Sequence, residues 1–192
     1  MGVPRIDSGP MNVEEFLAFT DSRPDDEKWE LIDGEPVLNA RPTYLHQIIV
    51  NNIYGRLLLL TLERQRSWTV FSGFAVRVSG TKLPVPDVMV RPTEAPAMNP
   101  VSRECDDMIV AFEVLSQSTS TRDLRWKRAA YTGLASLTHY VVVAQDSVDV
   151  VVFARELGFE ERRLDAIDQV LNLPSLGVAV ALSDIYRDTG LA

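Results

Sequence analysis

From Met108 to Leu115 the chain carries seven apolar residues interrupted by one charge, Glu113. A short run this apolar reads as a strand buried on both faces, because a half-exposed strand alternates apolar and polar side chains. An ionised carboxylate in such a strand costs on the order of several kcal/mol unless a cation or hydrogen-bond donors meet it. Whatever fold the chain adopts must therefore bring a partner to Glu113.

Asp87 raises the same demand. In Pro86-Asp87-Val88-Met89-Val90, strand alternation places Asp87 and Met89 on the face opposite Val88 and Val90. Each acid alone has an inert reading: Asp87 ends a loop in solvent, or Glu113 pairs with Arg77 or Arg122 in a structural bridge. Together, two carboxylates from adjacent strands suit a hard divalent cation, which prefers oxygen ligands and keeps several waters. Metal-assisted phosphodiester hydrolysis also needs a group to orient or deprotonate water. Lys127 offers one, since Asp123, Lys127 and Tyr131 stand four residues apart on one face of an expected helix. The inert alternative is a surface pair of Asp123 with Lys127, worth about a few tenths of a kcal/mol.

The flanking sequence predicts a mixed α/β core. Asn12 and Glu15 have capping-box spacing before a short helix, and Asp33-Gly34 suits a hairpin turn between strands near 29–32 and 36–38. Leu45, Ile49, Ile53, Leu57 and Leu60 form one stripe of a long helix over 44–63, with Gly55 as a point of close packing. Strands are expected over 69–78 and 85–91 around a turn at 79–81. A helix is expected over 121–134, capped from 116–120 and closed by Gly133, then strands over 140–144 and 148–153. The tail suggests a strand near 178–181 and a helical turn at 183–186. At 192 residues the chain suits one domain, read as 11–192 behind a flexible arm over 1–10.

The single cysteine, Cys105, excludes an internal disulfide, and no apolar run approaches the roughly 20 residues that span a bilayer. A cytoplasmic protein without a membrane anchor is expected. The net charge of −8 argues against a nucleic-acid partner, yet ten of the 27 acids and only three of the 19 bases lie in residues 1–40. Within 121–130, Arg122, Arg125, Lys127 and Arg128 face one acid, Asp123. Such a patch permits phosphate binding, although a solvated helix face explains it equally.

The order of these residues resembles the Uma-type putative restriction endonuclease family of the PD-(D/E)XK nuclease superfamily. The similarity begins at Trp29-Glu30-Leu31-Ile32-Asp33-Gly34-Glu35 and passes through His46 and Val85-Pro86-Asp87-Val88. It continues through Glu113-Val114-Leu115-Ser116, Ser118-Thr119, Asp123, Lys127, Tyr131 and Gly133 to His139-Tyr140-Val141-Val142-Val143. The resemblance implies an α+β fold, with a mixed sheet flanked by helices behind an N-terminal helix and hairpin. It further implies a metal-dependent endonuclease, with Asp87 and Glu113 as the acids that hold magnesium or manganese and the Val114 carbonyl as a further ligand. Lys127 would be a displaced lysine, because the position two residues after Glu113 is Leu115. Glu30 matches as a third acid and His46 as a phosphate or water contact, while Arg122, Arg125 and Arg128 would attract the nucleic acid, DNA in preference. A homodimer would suit the cutting of both strands of a duplex. The chain departs from the family at Gln117, where proline is usual, and at Val142-Val143-Ala144-Gln145, where a tryptophan-containing segment normally ends in aspartate. A catalytically silent binding or scaffold protein of the same fold, or a hydrolase of another phosphate ester, remains an alternative.

Overall fold

The computed structural model describes residues 9–24, 26–64, 67–93, 99–115 and 121–191, excepting the side chains of 64 and 121–123. Helix α1 (Val13–Thr20) opens it, capped as its sequence predicts: the Asn12 side chain accepts from the Glu15 amide, and Glu15 accepts from the Asn12 amide, both at 2.9 Å. The hairpin β1 (Trp29–Ile32) and β2 (Glu35–Leu38) follows. Its turn holds Asp33 and Gly34 at φ of 50° and 84°. At Gly34 a Cβ would also stand 2.3 Å from the Pro10 Cβ, so both backbone conformation and space require glycine.

Next come helix α2 (Tyr44–Arg64), β3 (Trp68–Ser72), β4 (Ala75–Val76), β5 (Val88–Pro92), β6 (Glu104–Cys105) and β7 (Val110–Leu115). Helix α3 (Thr121–Thr132) leads to β8 (His139–Ala144), β9 (Val150–Ala154) and β10 (Glu161–Leu164), and the chain ends with β11 (Val170–Leu173), β12 (Val178–Ala181) and the short α4 (Leu182–Ile185). The central sheet has the strand order β10-β9-β8-β7-β5-β3. Strands β7 and β8 run parallel, joined by the α3 crossover, and the other neighbours are antiparallel.

The two faces of β7 separate packing from chemistry. Val110, Phe112 and Val114 join the large core beneath α2, with Ile49, Ile53, Leu57 and Leu60. Ala111 belongs to a second core on the α3 side, with Met89, Tyr131, Tyr140 and Phe153. Glu113 has the same parity as Ala111 and therefore faces α3.

Several elements differ from the sequence reading. The strand expected over 69–78 splits at Gly73, whose φ of 63° turns the chain. Strand β3 stays in the central sheet, while β4 pairs in parallel with β6. Asp87 accordingly precedes β5, and its carbonyl accepts from the Gly73 amide at 3.2 Å. Gly55 is not a close-packing site, since a Cβ there would meet nothing within 4 Å. The capping segment 116–120 lies outside the described residues. Strand β10 escapes a hydrophobic reading because, as the edge of the sheet, Glu-Arg-Arg-Leu turns only Leu164 to the core. Among the described residues, no helix is long and apolar enough to cross a membrane.

With open space at Gly55 and an α-helical backbone, Gly55→Ala should stabilise the fold by roughly 0.5–1 kcal/mol. Urea unfolding checks this, and a destabilised variant would show that the helix needs the glycine for packing.

Candidate active site

The buried acid on β7 is met from two directions. Glu113 is 5% exposed and Glu30, on β1, is 2% exposed. The Lys127 ammonium, on α3, reaches between them, donating to the two Glu113 oxygens at 2.9 and 3.0 Å and lying 2.9 Å from Glu30 Oε1. One helical turn on, the Tyr131 hydroxyl donates to Glu113 Oε1 at 3.0 Å. The four-residue spacing of Lys127 and Tyr131 thus places two donors on one carboxylate. Arg77 is committed to Glu104 and Glu14 and so is not the partner of Glu113, and Lys127 turns inward to Glu113 and Glu30.

Asp87 adjoins this cluster through the backbone. Odd-numbered residues of β7 bond towards β8, where the Leu115 carbonyl accepts from the Gln145 amide at 3.0 Å. Even-numbered residues turn towards β5, but the β5 pairing ends at Val88 opposite Phe112. Beyond that point the Val114 amide donates to Asp87 Oδ2 at 2.8 Å. In a strand the amide and carbonyl of one residue point to the same side, so the Val114 carbonyl opens on the side of Asp87. His46, in the first turn of α2, brings Nε2 to 3.2 Å from the same Oδ2.

Electrostatics set these groups apart. Burial would push the Asp87 carboxyl up, but its bond to His46, the Val114 amide and Lys127 outweigh it and hold the group below its ordinary value. Burial would push the Lys127 ammonium down, but Glu113 and Glu30 override it and hold it above its ordinary value. At Glu113, burial pushes the carboxyl up to about 8, reinforced by Asp87 and Glu30 and opposed by Lys127. The Lys127 shift requires an anionic Glu113 at neutral pH, whereas the Glu113 shift favours a neutral one. Three donor contacts converge on the Glu113 oxygens, so the anion is met by hydrogen bonds where it forms. The directions stand: Lys127 keeps its charge, and Glu113 binds a proton more tightly than an exposed carboxylate.

These side chains line a cleft of about 380 Å³. Asp87, Glu113, Glu30, His46 and Lys127 meet there, as do groups without an assigned role in the sequence reading: Lys28, Arg41, Thr43, Trp126, Tyr140 and Gln145. The Tyr140 hydroxyl and His46 Nδ1 are buried without a hydrogen-bond partner among the described residues. Arg125 is exposed, whereas Arg128 donates to the Phe159 carbonyl at 2.7 Å and stacks over Phe153; neither lines the cleft. The side chains of Arg122 and Asp123 lie outside the described ones. Among the described residues, no group of three or more His, Cys, Asp or Glu side chains is arranged to hold a metal ion by itself.

The family model described as "Putative restriction endonuclease", Uma2, matches residues 13–183. The chain belongs to the Uma2 family. It is also similar to the crystal structure of a putative nuclease belonging to DUF820 from Anabaena variabilis, at 17% identity and a TM-score of 0.76, over 92% of this chain and 98% of that one. At that identity the likeness establishes the nuclease-type fold. No curated protein matches the chain. In this Uma2 chain the lysine bonded to Glu113 comes from α3 rather than from the glutamate's strand, where Leu115 stands two residues on. Tyr140 and Gln145 could have been singled out only from the order of the sheet, because neither sits in a chemically distinctive sequence pattern.

Because folding raises the Glu113 value, this group favours the folded state fully below its ordinary value of 4.5 and loses that contribution as pH rises towards about 8. Glu113→Gln removes the titration. Between about pH 5 and 9, urea-unfolding stability should fall more steeply for the wild type than for Glu113→Gln. Parallel profiles would contradict a raised Glu113.

Proposed function

We propose that this protein is a metal-dependent endonuclease that hydrolyses phosphodiester bonds of nucleic acid, DNA in preference. The observation that carries the reading is the convergence of Asp87, Glu113 and Lys127 from separate elements on one cleft, in a chain of the Uma2 family. The donor set suits magnesium or manganese: Asp87, Glu113 and the Val114 carbonyl offer oxygen only, and such hard cations complete their coordination with water and phosphate. A cation held there would supply positive charge for a phosphate and lower the pKa of a water.

The protein's own groups divide the remaining work. Lys127, held charged between two acids, orients a water or meets the negative charge that develops on the phosphate oxygens. His46 and the Tyr140 hydroxyl, each with an unpartnered polar atom among the described residues, offer further contacts to phosphate or water. Arg125, with Arg122 on the same helix, attracts the nucleic-acid backbone. Arg128 contributes charge at longer range while bonded to Phe159. A homodimer would present two such clefts to the two strands of a duplex.

Asp87→Ala and Glu113→Ala should each lower magnesium- or manganese-dependent cleavage of plasmid DNA by at least about a hundredfold while circular dichroism stays unchanged. Chelation should stop the wild type, and added manganese should restore it. A fully active alanine variant would overturn the assignment, and inactivity of the wild type on every DNA and RNA form would favour a non-catalytic binding protein.

A further inference from the structure

Lys127 stands where an internal counter-ion would stand. Both oxygens of Glu113 accept from its ammonium, so Glu113 is already engaged by a cation of the protein's own. A divalent cation at Glu113 must compete with that ammonium for the same oxygens and repels it as well. The Lys127 side chain is 15% exposed, and its ammonium cannot retreat into the sheet without losing its charge partners. Glu30 supplies the alternative. Its Oε1 lies 2.9 Å from Lys127 Nζ and accepts the Val85 amide at 2.7 Å, an anchor that fixes the carboxylate on the wall facing Glu113. Glu30 comes from the hairpin rather than from the central sheet, and its bonded oxygen is already occupied by two donors. Glu30, anchored to the Val85 amide, thus already holds the ammonium that Glu113 would have to give up.

We propose that Glu30 is a positioning residue: it takes over the Lys127 ammonium when a divalent cation engages Glu113, and so keeps the lysine charged and close to the cleft. The inference rests on the metal reading given above and deepens it, because it makes cation affinity depend on a contest between Lys127 and the metal that Glu30 referees. Removing Lys127 frees Glu113 and tightens metal binding. Removing the charge of Glu30 leaves Lys127 bound to Glu113 alone and weakens metal binding, but only while Lys127 is present. A direct metal ligand at Glu30 would weaken it in either background.

Manganese binding to the full chain, followed by calorimetry and by the electron-spin signal of free manganese, separates these cases in a double-mutant cycle of Glu30→Gln and Lys127→Met. Lys127→Met should bind manganese roughly tenfold more tightly than the wild type, whereas Lys28→Met, which removes a cleft cation without touching the acids, should change affinity by about twofold or less. Glu30→Gln should weaken binding about tenfold with Lys127 present and about twofold or less in the Lys127→Met background. Equal losses in both backgrounds would overturn the positioning role and make Glu30 a ligand; Lys127→Met binding no tighter than Lys28→Met would overturn the competition. If Lys127→Met does not fold, Lys127→Gln keeps a donor to Glu113 and takes its place with the same expected ordering. Absence of manganese binding from the wild type and every variant would overturn the metal reading itself, an outcome distinct from binding without coupling.

Discussion

A carboxylate placed inside the central sheet governs this structure. Glu113 sits on a strand flanked by β5 and β8, where little of it is open to water, so its charge must be met largely by other parts of the chain. The two elements that meet it are far apart in sequence. Helix α3 brings Lys127 and Tyr131 over one face of β7, and the hairpin brings Glu30 to the other side of the ammonium. Ion pairs buried in this way seldom add net stability over a well-packed apolar core, because desolvation consumes most of the attraction. A cluster of two acids, one lysine and one tyrosine hydroxyl at the centre of a small fold is therefore weak reinforcement, in keeping with the function proposed for it.

The sheet separates the two requirements by face. Even-numbered residues of β7 pack beneath α2 among valines, leucines and isoleucines, which gives the fold its large core. Odd-numbered residues face α3, where Ala111 leaves room and Glu113 supplies charge. The early end of β5 completes the arrangement, because the Val114 amide, beyond the pairing with β5, bonds the Asp87 side chain instead. The left-handed backbone of Gly73 turns β3 away at the same level, and its amide holds the Asp87 carbonyl. The acids of the cleft are thus positioned by backbone geometry as much as by side-chain packing.

Long periodic elements were legible without coordinates. The α2 stripe, the α1 capping box, the Asp33-Gly34 hairpin and the β8–β9 pair appear where hydrophobic spacing and turn chemistry place them. What escaped were elements whose sequence lacks a periodic signal. Strand β10 is an edge strand with a single inward side chain, and β6 is two residues long. Their existence depends on neighbours, not on local preference.

For the cleft, the sequence by itself determined that Glu113 needed a partner and that Lys127 and Tyr131 would share one helix face, because a charge in an apolar run and a four-residue spacing are local facts. It could not decide between Arg77, Arg122 and Lys127 as that partner, nor show that Glu30 shares the lysine, because those contacts span 14 to 97 positions along the chain. Only the parity of β7, the early end of β5 and the crossover of α3 bring them together. Hydrophobic periodicity reports which side of an element is buried; it carries no information about what is packed against that side.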